Sequence, residues 1–144
     1  MATGDRRDPY RSYHFLVEID GITRAGFREC SGLDCTQDPI DYREGDDGLV
    51  SHKLPGLVKY SNISLKRGVT DDTDLWNWRQ QASTGNVQRK NGSIVLLDDT
   101  GQEKIRWNFK SGWPSKWTGP SFNATGNELA IESLEIVHEG LDRA

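Results

Sequence analysis

Three pairs of adjacent carboxylates, Asp46-Asp47, Asp71-Asp72 and Asp98-Asp99, are the side chains in this 144-residue chain with the clearest chemical potential. Paired carboxylates suit glycoside hydrolysis, where one group protonates the leaving oxygen and the other acts as base or nucleophile. Each pair, however, lies among turn or helix-start residues, where Asp normally bonds to nearby backbone. Structural use outweighs catalytic use at all three. A calcium site around Asp71, Asp72 and Asp74 is the sharper alternative, but the stretch lacks the alternating ligands and central glycine of an EF-hand loop.

Sulfur and imidazole offer less. Cys30 and Cys35 are the only cysteines, and their odd offset sets them on opposite faces of a continuous strand, so they read as inert, unbridged thiols. His14, His52 and His138 are scattered and make no metal-ligand spacing with them. No glycine-rich phosphate loop follows a strand, and no nucleophile elbow is present. No catalytic, cofactor-binding or metal site is expected. Trp107, Trp113 and Trp117 remain, and flat indole faces suit sugar rings, so a monomeric carbohydrate-binding β-sandwich module is one reading. The other is core or interface packing, where each buried indole is worth roughly 2–3 kcal/mol.

Composition bounds these choices. A chain of this length fits one domain that buries about two-thirds of the surface its unfolded form exposes. Apolar residues make up 34%, but five Trp, four Tyr and four Phe supply large buried areas. The formal charge of -4 argues against a duplex-DNA binder, whose affinity comes mostly from Lys and Arg on phosphates. No apolar run approaches the roughly 18 residues needed to cross a bilayer, so no direct membrane anchor is expected and the chain is read as cytoplasmic when made.

The elements follow from periodicity. Residues 1–8 read as a flexible leader and residues 9–144 as a single domain. Tyr13, Phe15, Val17 and Ile19 alternate with polar neighbours as a half-buried strand, and Asp20-Gly21 turns the chain. Residues 23–38 suit one bent strand or two short ones broken at Ser31-Gly32. An extended hairpin spans about 40–58, with an acidic exposed tip at Gly45-Asp46-Asp47-Gly48. Ile63 and Leu65 mark a further strand. A short amphipathic helix spans about 71–84, with caps offered by Thr70-Asp71-Asp72, Leu75, Trp78 and Ala82 on its inner face, and Gly85 as its stop. Asn91-Gly92 reads as a hairpin turn between residues 87–90 and 93–97. Ile105, Trp107 and Phe109 form the apolar face of another strand. Residues 127–140 are ambiguous: Ala130, Leu134 and Val137 have helical spacing, whereas a strand there requires a phase change near Glu132-Ser133.

Read in order, the segments DPYRSYHFLVEIDG from Asp8, AGFRECSGL from Ala25, YREG from Tyr42, KLPGLVKYSNISLKRG from Lys53, RKNGSIVLLDDTG from Arg89, WPSKWTGP from Trp113 and NELAIESLEIVHEGL from Asn127 resemble the tube proteins of contractile tails. That family includes phage tail tube proteins and the inner tube subunits of extracellular contractile injection systems and R-type bacteriocins. The resemblance implies a mainly β protein, a β-barrel or β-sandwich with one short flanking α-helix, similar to haemolysin-coregulated protein tube subunits. It therefore implies a strand over 127–140. It also implies a structural role: six copies in a ring, rings stacked into a hollow tube, a contractile sheath around it, baseplate or spike and tube-terminating proteins at its ends, and cargo effectors as possible lumen contents. Assembly in the bacterial cytoplasm within a releasable tail-like particle follows, with no tight nucleic-acid binding. In such proteins the hairpin reaches neighbouring copies, which makes Tyr42, Arg43, Leu54, Pro55, Leu57 and Tyr60 the expected inter-subunit and inter-ring contacts.

Overall fold

The computed structural model describes residues 15–20, 22–25 (backbone only), 27–45, 48–70, 73–126 and 129–144. In chain order the elements are β1 (Phe15–Ile19), β2 (Ile22–Ala25), β3 (Glu29–Ser31), β4 (Cys35–Tyr42), β5 (His52–Tyr60), β6 (Ile63–Gly68), α1 (Asp74–Ser83), β7 (Lys90–Leu97), β8 (Glu103–Thr118), β9 (Ile131–Val137) and β10 (Gly140–Arg143). The mainly β architecture with one short helix expected from the resemblance is what the described residues adopt. Its large sheet runs β2-β1-β7-β8-β9-β6-β3, with β10 also on β8, and every pairing is antiparallel. The path ends on β2 and β3, which do not pair with each other.

The 16-residue β8 belongs to both halves of this sheet. Its first part pairs with β7 and β10, and its second part, from Trp113 onward, pairs with β9. Between them Ser111 takes φ 54°, a left-handed conformation uncommon for a non-glycine residue. The Asn91 side-chain oxygen accepts the Ser111 N–H at 3.1 Å and so holds the bend. Pro114 follows in the ladder with no N–H to donate, and the β8–β9 register slips between Pro114 and Lys116.

The core lies on the inner face of the bent sheet. Val17, Ile19, Ile63, Leu65, Ile94, Phe109, Leu134 and Ile136 pack there with Leu75 and Trp78 of α1. Strict alternation delivers them: β6 reads Ile63, Leu65, Arg67 inward, and β9 reads Glu132, Leu134, Ile136 inward. Trp78 also satisfies its indole N–H, donated to the Gln88 carbonyl at 2.8 Å.

Three expectations are corrected. Asn91-Gly92 makes no turn but lies inside β7, because Phe109 rests on Gly92: a Cβ there would meet Phe109 Cζ at 2.5 Å and the Glu18 carbonyl oxygen at 2.7 Å. The strand that the resemblance implies within 127–140 is present as β9, despite the helical spacing, but it needs no phase change near Glu132-Ser133. Glu132 instead points inward and is neutralised by buried Arg67, whose Nε donates to Oε1 at 2.7 Å. The helix begins at Asp74, with Thr73 as N-cap and no side-chain capping bond. Asp71 and Asp72 lie outside the described residues, as do Tyr13 and the leader. Gly85, at φ 87°, follows the helix as expected.

Residues 23–38 hold parts of three strands, β2, β3 and β4, rather than the one bent or two short strands expected, although the expected break at Gly32 is present. Gly32 takes φ 93°, and a Cβ would fall 2.0 Å from the Asn62 carbonyl oxygen. The chain leaves the large sheet there and enters the hairpin.

Candidate functional site

β4 and β5 form a separate two-stranded sheet, and no other element packs extensively against it among the described residues. All of β4 is exposed, and so is most of β5. The hairpin is longer than the 40–58 read from sequence, beginning at Cys35 opposite Tyr60. Such a ribbon is marginal by itself in water, because neither face is covered.

Register defines the two faces. Ile40 opposes Leu54 and Tyr42 opposes His52, with the Tyr42 and His52 rings 6.2 Å apart. The β5 strand carries an extra residue between Pro55 and Val58, so its alternation resets and Leu57 joins Ile40, Leu54 and Tyr42 on one face. These side chains are 53%, 48%, 41% and, for Leu57, 79% exposed. Pro39, Pro55 and Val58 lie on the opposite face, where Asp41 and Lys53 approach at 3.9 Å. Asp38 and Lys59 make a 3.1 Å pair beside Leu57. Gln37 Nε2 donates to the Gly56 carbonyl at 3.0 Å, tying the irregular stretch together. Beyond the ladder the Tyr42 hydroxyl donates to the Glu44 carboxylate, which with some desolvation raises its pKa.

The structure therefore brings Tyr42, Leu54 and Leu57 to one face and Pro55 to the other. Arg43 follows β4, outside the paired residues. Tyr60 has a different setting: it is half-buried at the root, its ring 5.5 Å from that of His138. His138 is buried, with Nδ1 3.1 Å from the Gly140 carbonyl and Nε2 3.1 Å from the Ser61 carbonyl. This fastens the hairpin root to the β9–β10 bend. Ile40, Leu49, Val50 and Val58 are exposed apolar residues of the same hairpin that sequence reasoning passed over. The period-2 spacing of Ile40 with Tyr42, and an apolar pair directly after the turn residues, were the available signals.

The tryptophans form no open row for a sugar. Trp107, Trp113 and Trp117 are half-buried; Trp117 meets Trp76 edge-on at 5.4 Å, and the Arg143 guanidinium lies 5.9 Å from Trp107. Nothing in this arrangement favours the carbohydrate-binding alternative.

Among the described residues, the site is a long hairpin with exposed apolar side chains on both faces, carried by an antiparallel sheet whose path ends on β2 and β3. The chain belongs to the T4-like virus tail tube protein gp19 family, whose model matches residues 11–142. Among solved structures, it is similar to a chain of the PVC sheath-tube complex of an extracellular contractile injection system in its extended state. The identity is 31% over 94% of this chain and 91% of that one, with a TM-score of 0.85. A chain from the anti-feeding prophage cap is 28% identical over 99% of this chain and 95% of that one, at TM-score 0.88. Hcp1 from Flavobacterium johnsoniae shares the fold at 16% identity and TM-score 0.64, covering 91% of this chain and 94% of that one. A comparison with curated proteins gave no match. The protein is thus a tube protein of the contractile kind, a structural component of phage tail-like particles.

Proposed function

We propose that six copies form a ring and that rings stack into the inner tube of a contractile injection particle. Sheath contraction drives that tube through a target envelope, and cargo passes along the lumen. The particle assembles in the bacterial cytoplasm. The tube makes and breaks no covalent bond; its work is stiffness and conduction. Sheath, baseplate and terminating proteins are its partners, a reading supported by the sheath-tube and cap structures to which the chain is similar.

The single observation that carries the assembly is the hairpin, whose apolar side chains are exposed on both faces. Burying a Leu side chain fully is worth about 1.5–3 kcal/mol, and the contact repeats at every copy. Tyr42, Leu54 and Leu57 would pack on one neighbour, with Arg43 and Pro55 beside them and Tyr60 fixing the root. Among the described residues the sheet's path ends on β2 and β3, and strand edges of that kind invite pairing with another chain.

The test is electron microscopy of purified protein and of Leu54→Asp and Leu57→Asp variants. Wild type is expected to give rings or rods. Each variant buries a carboxylate where an apolar group belonged and is expected to shorten rods and lower their yield at least tenfold, with circular dichroism unchanged. Rods of normal length and yield in both variants would remove the hairpin from the interface.

A further inference from the structure

His138 stands where the end of β5, the β9–β10 bend and β8 meet. It is buried, and its two ring nitrogens face two backbone carbonyls, Nδ1 at 3.1 Å from Gly140 and Nε2 at 3.1 Å from Ser61. Both partners can only accept. A neutral imidazole has one N–H and one lone pair, so it donates to one carbonyl and turns a lone pair on the other. An imidazolium has two N–H groups and satisfies both. The Tyr60 and Phe109 rings, centred 5.5 Å and 6.0 Å from the imidazole, lie within the roughly 6 Å reach of cation–π attraction. The bonding pattern therefore fits the charged ring and offsets part of the desolvation cost of burying it.

The two bonds differ in reach. Gly140 is two residues along the same bend, whereas Ser61 is 77 residues away and directly follows β5. The Ser61 N–H in turn donates to the Asp34 carbonyl at 3.3 Å, at the entry to the other leg of the hairpin. A neutral ring can give its one proton to Gly140 and release the root. A charged ring always presents a proton to Ser61.

We propose that His138 is a proton-operated clamp on the hairpin: protonated, it ties Ser61 to Gly140 through the ring, and on losing its proton to solvent it frees the root to open. Protonation adds a bond to the closed root only, so closure is firmest on the acid side and weakens as pH rises through the range near ~6.5 where a free imidazole loses its charge. The other titratable or charged groups around the ring are Tyr60 on β5 with Cys35 opposite it, Asp34 before β4, Lys110 on β8 and Glu139 next in the chain. β6 begins Ile63-Ser64-Leu65 and brings none. Asp34, Lys110 and Glu139 are exposed, and among the described residues the ring's polar contacts are the two carbonyls alone. Of these side-chain types, imidazole is the one whose ordinary charge change falls between about pH 5 and 8.

The test is hydrogen exchange read by mass spectrometry on the full chain carrying His14→Gln and His52→Gln, which leaves His138 as its sole imidazole. It is run at concentrations that give no rods, so its result does not depend on the tube reading. After correction for intrinsic rates, peptides over 33–37 and 58–63 are expected to be about threefold better protected at pH 5.5 than at pH 8. Adding His138→Gln, which keeps an N–H donor but does not titrate, is expected to remove that difference. With the native side chain labelled with 15N, two slowly exchanging ring protons are expected at pH 5.5 and one at pH 8. Protection that ignores pH, a pH effect that survives His138→Gln, or the same number of ring protons at both pH values would overturn the clamp.

Discussion

The Arg67–Glu132 pair shows how one residue decides a local structure. Both side chains are buried, at 6% and 9% exposure, and the guanidinium also lies 5.7 Å from the Phe27 ring. Removing one partner leaves an uncompensated charge in a poorly solvating place, a loss of about 3–5 kcal/mol. Glu132→Gln is accordingly expected to lower stability by that order in denaturant unfolding. An Arg67→Met, Glu132→Leu double variant is expected to recover most of the loss, because two apolar groups need no mutual charge compensation. Equal loss in single and double variants would mean that packing around the site, not the pair, carries the stability. The sequence displays both residues plainly, but nothing in it joins positions 65 residues apart. A buried Glu in an otherwise apolar strand phase therefore looks like a break in the pattern, and the β9 strand looks like a helix.

Strands whose two neighbours share their alternation were readable from residue type alone, as β1 and β6 show. The errors came where a distant element overrode a local signal. Asn-Gly favours a tight turn, yet Gly92 is used because the Phe109 ring occupies the space of a side chain. Gly92→Ala would press a methyl group against that ring and the Glu18 carbonyl, with an expected cost of about 1–3 kcal/mol, measurable as a lower denaturation midpoint. The paired variant Gly92→Ala, Phe109→Leu is expected to be less than additive; strict additivity would show that the ring does not set the requirement. The hairpin was legible as an exposed element, but its two faces were not. They depend on one extra residue between Pro55 and Val58, which only the pairing register reveals.

For the whole molecule, family and architecture were legible because ordered motifs run through nearly the entire chain, whereas neighbour contacts depend on surfaces that no single-chain pattern ranks. Charge is the exception. A ring of six would carry a formal -24, six times -4, and such a body repels polyphosphate except where basic side chains cluster. Assembled tubes are expected to retain no duplex DNA at 150 mM salt in a filter-binding or co-sedimentation assay. Tight retention that falls steeply with added salt would place a strong basic lining in the lumen and contradict this expectation.

The shared strand β8 has a mechanical consequence. Because one covalent segment is laddered to β7 and β10 on one side of the bend and to β9 on the other, tilting the two halves of the sheet shears several hydrogen bonds at once. A subunit reinforced in this way has no soft joint along its middle. In the proposed tube, a load passing from one half of the sheet to the other would cross the bend through this shared ladder.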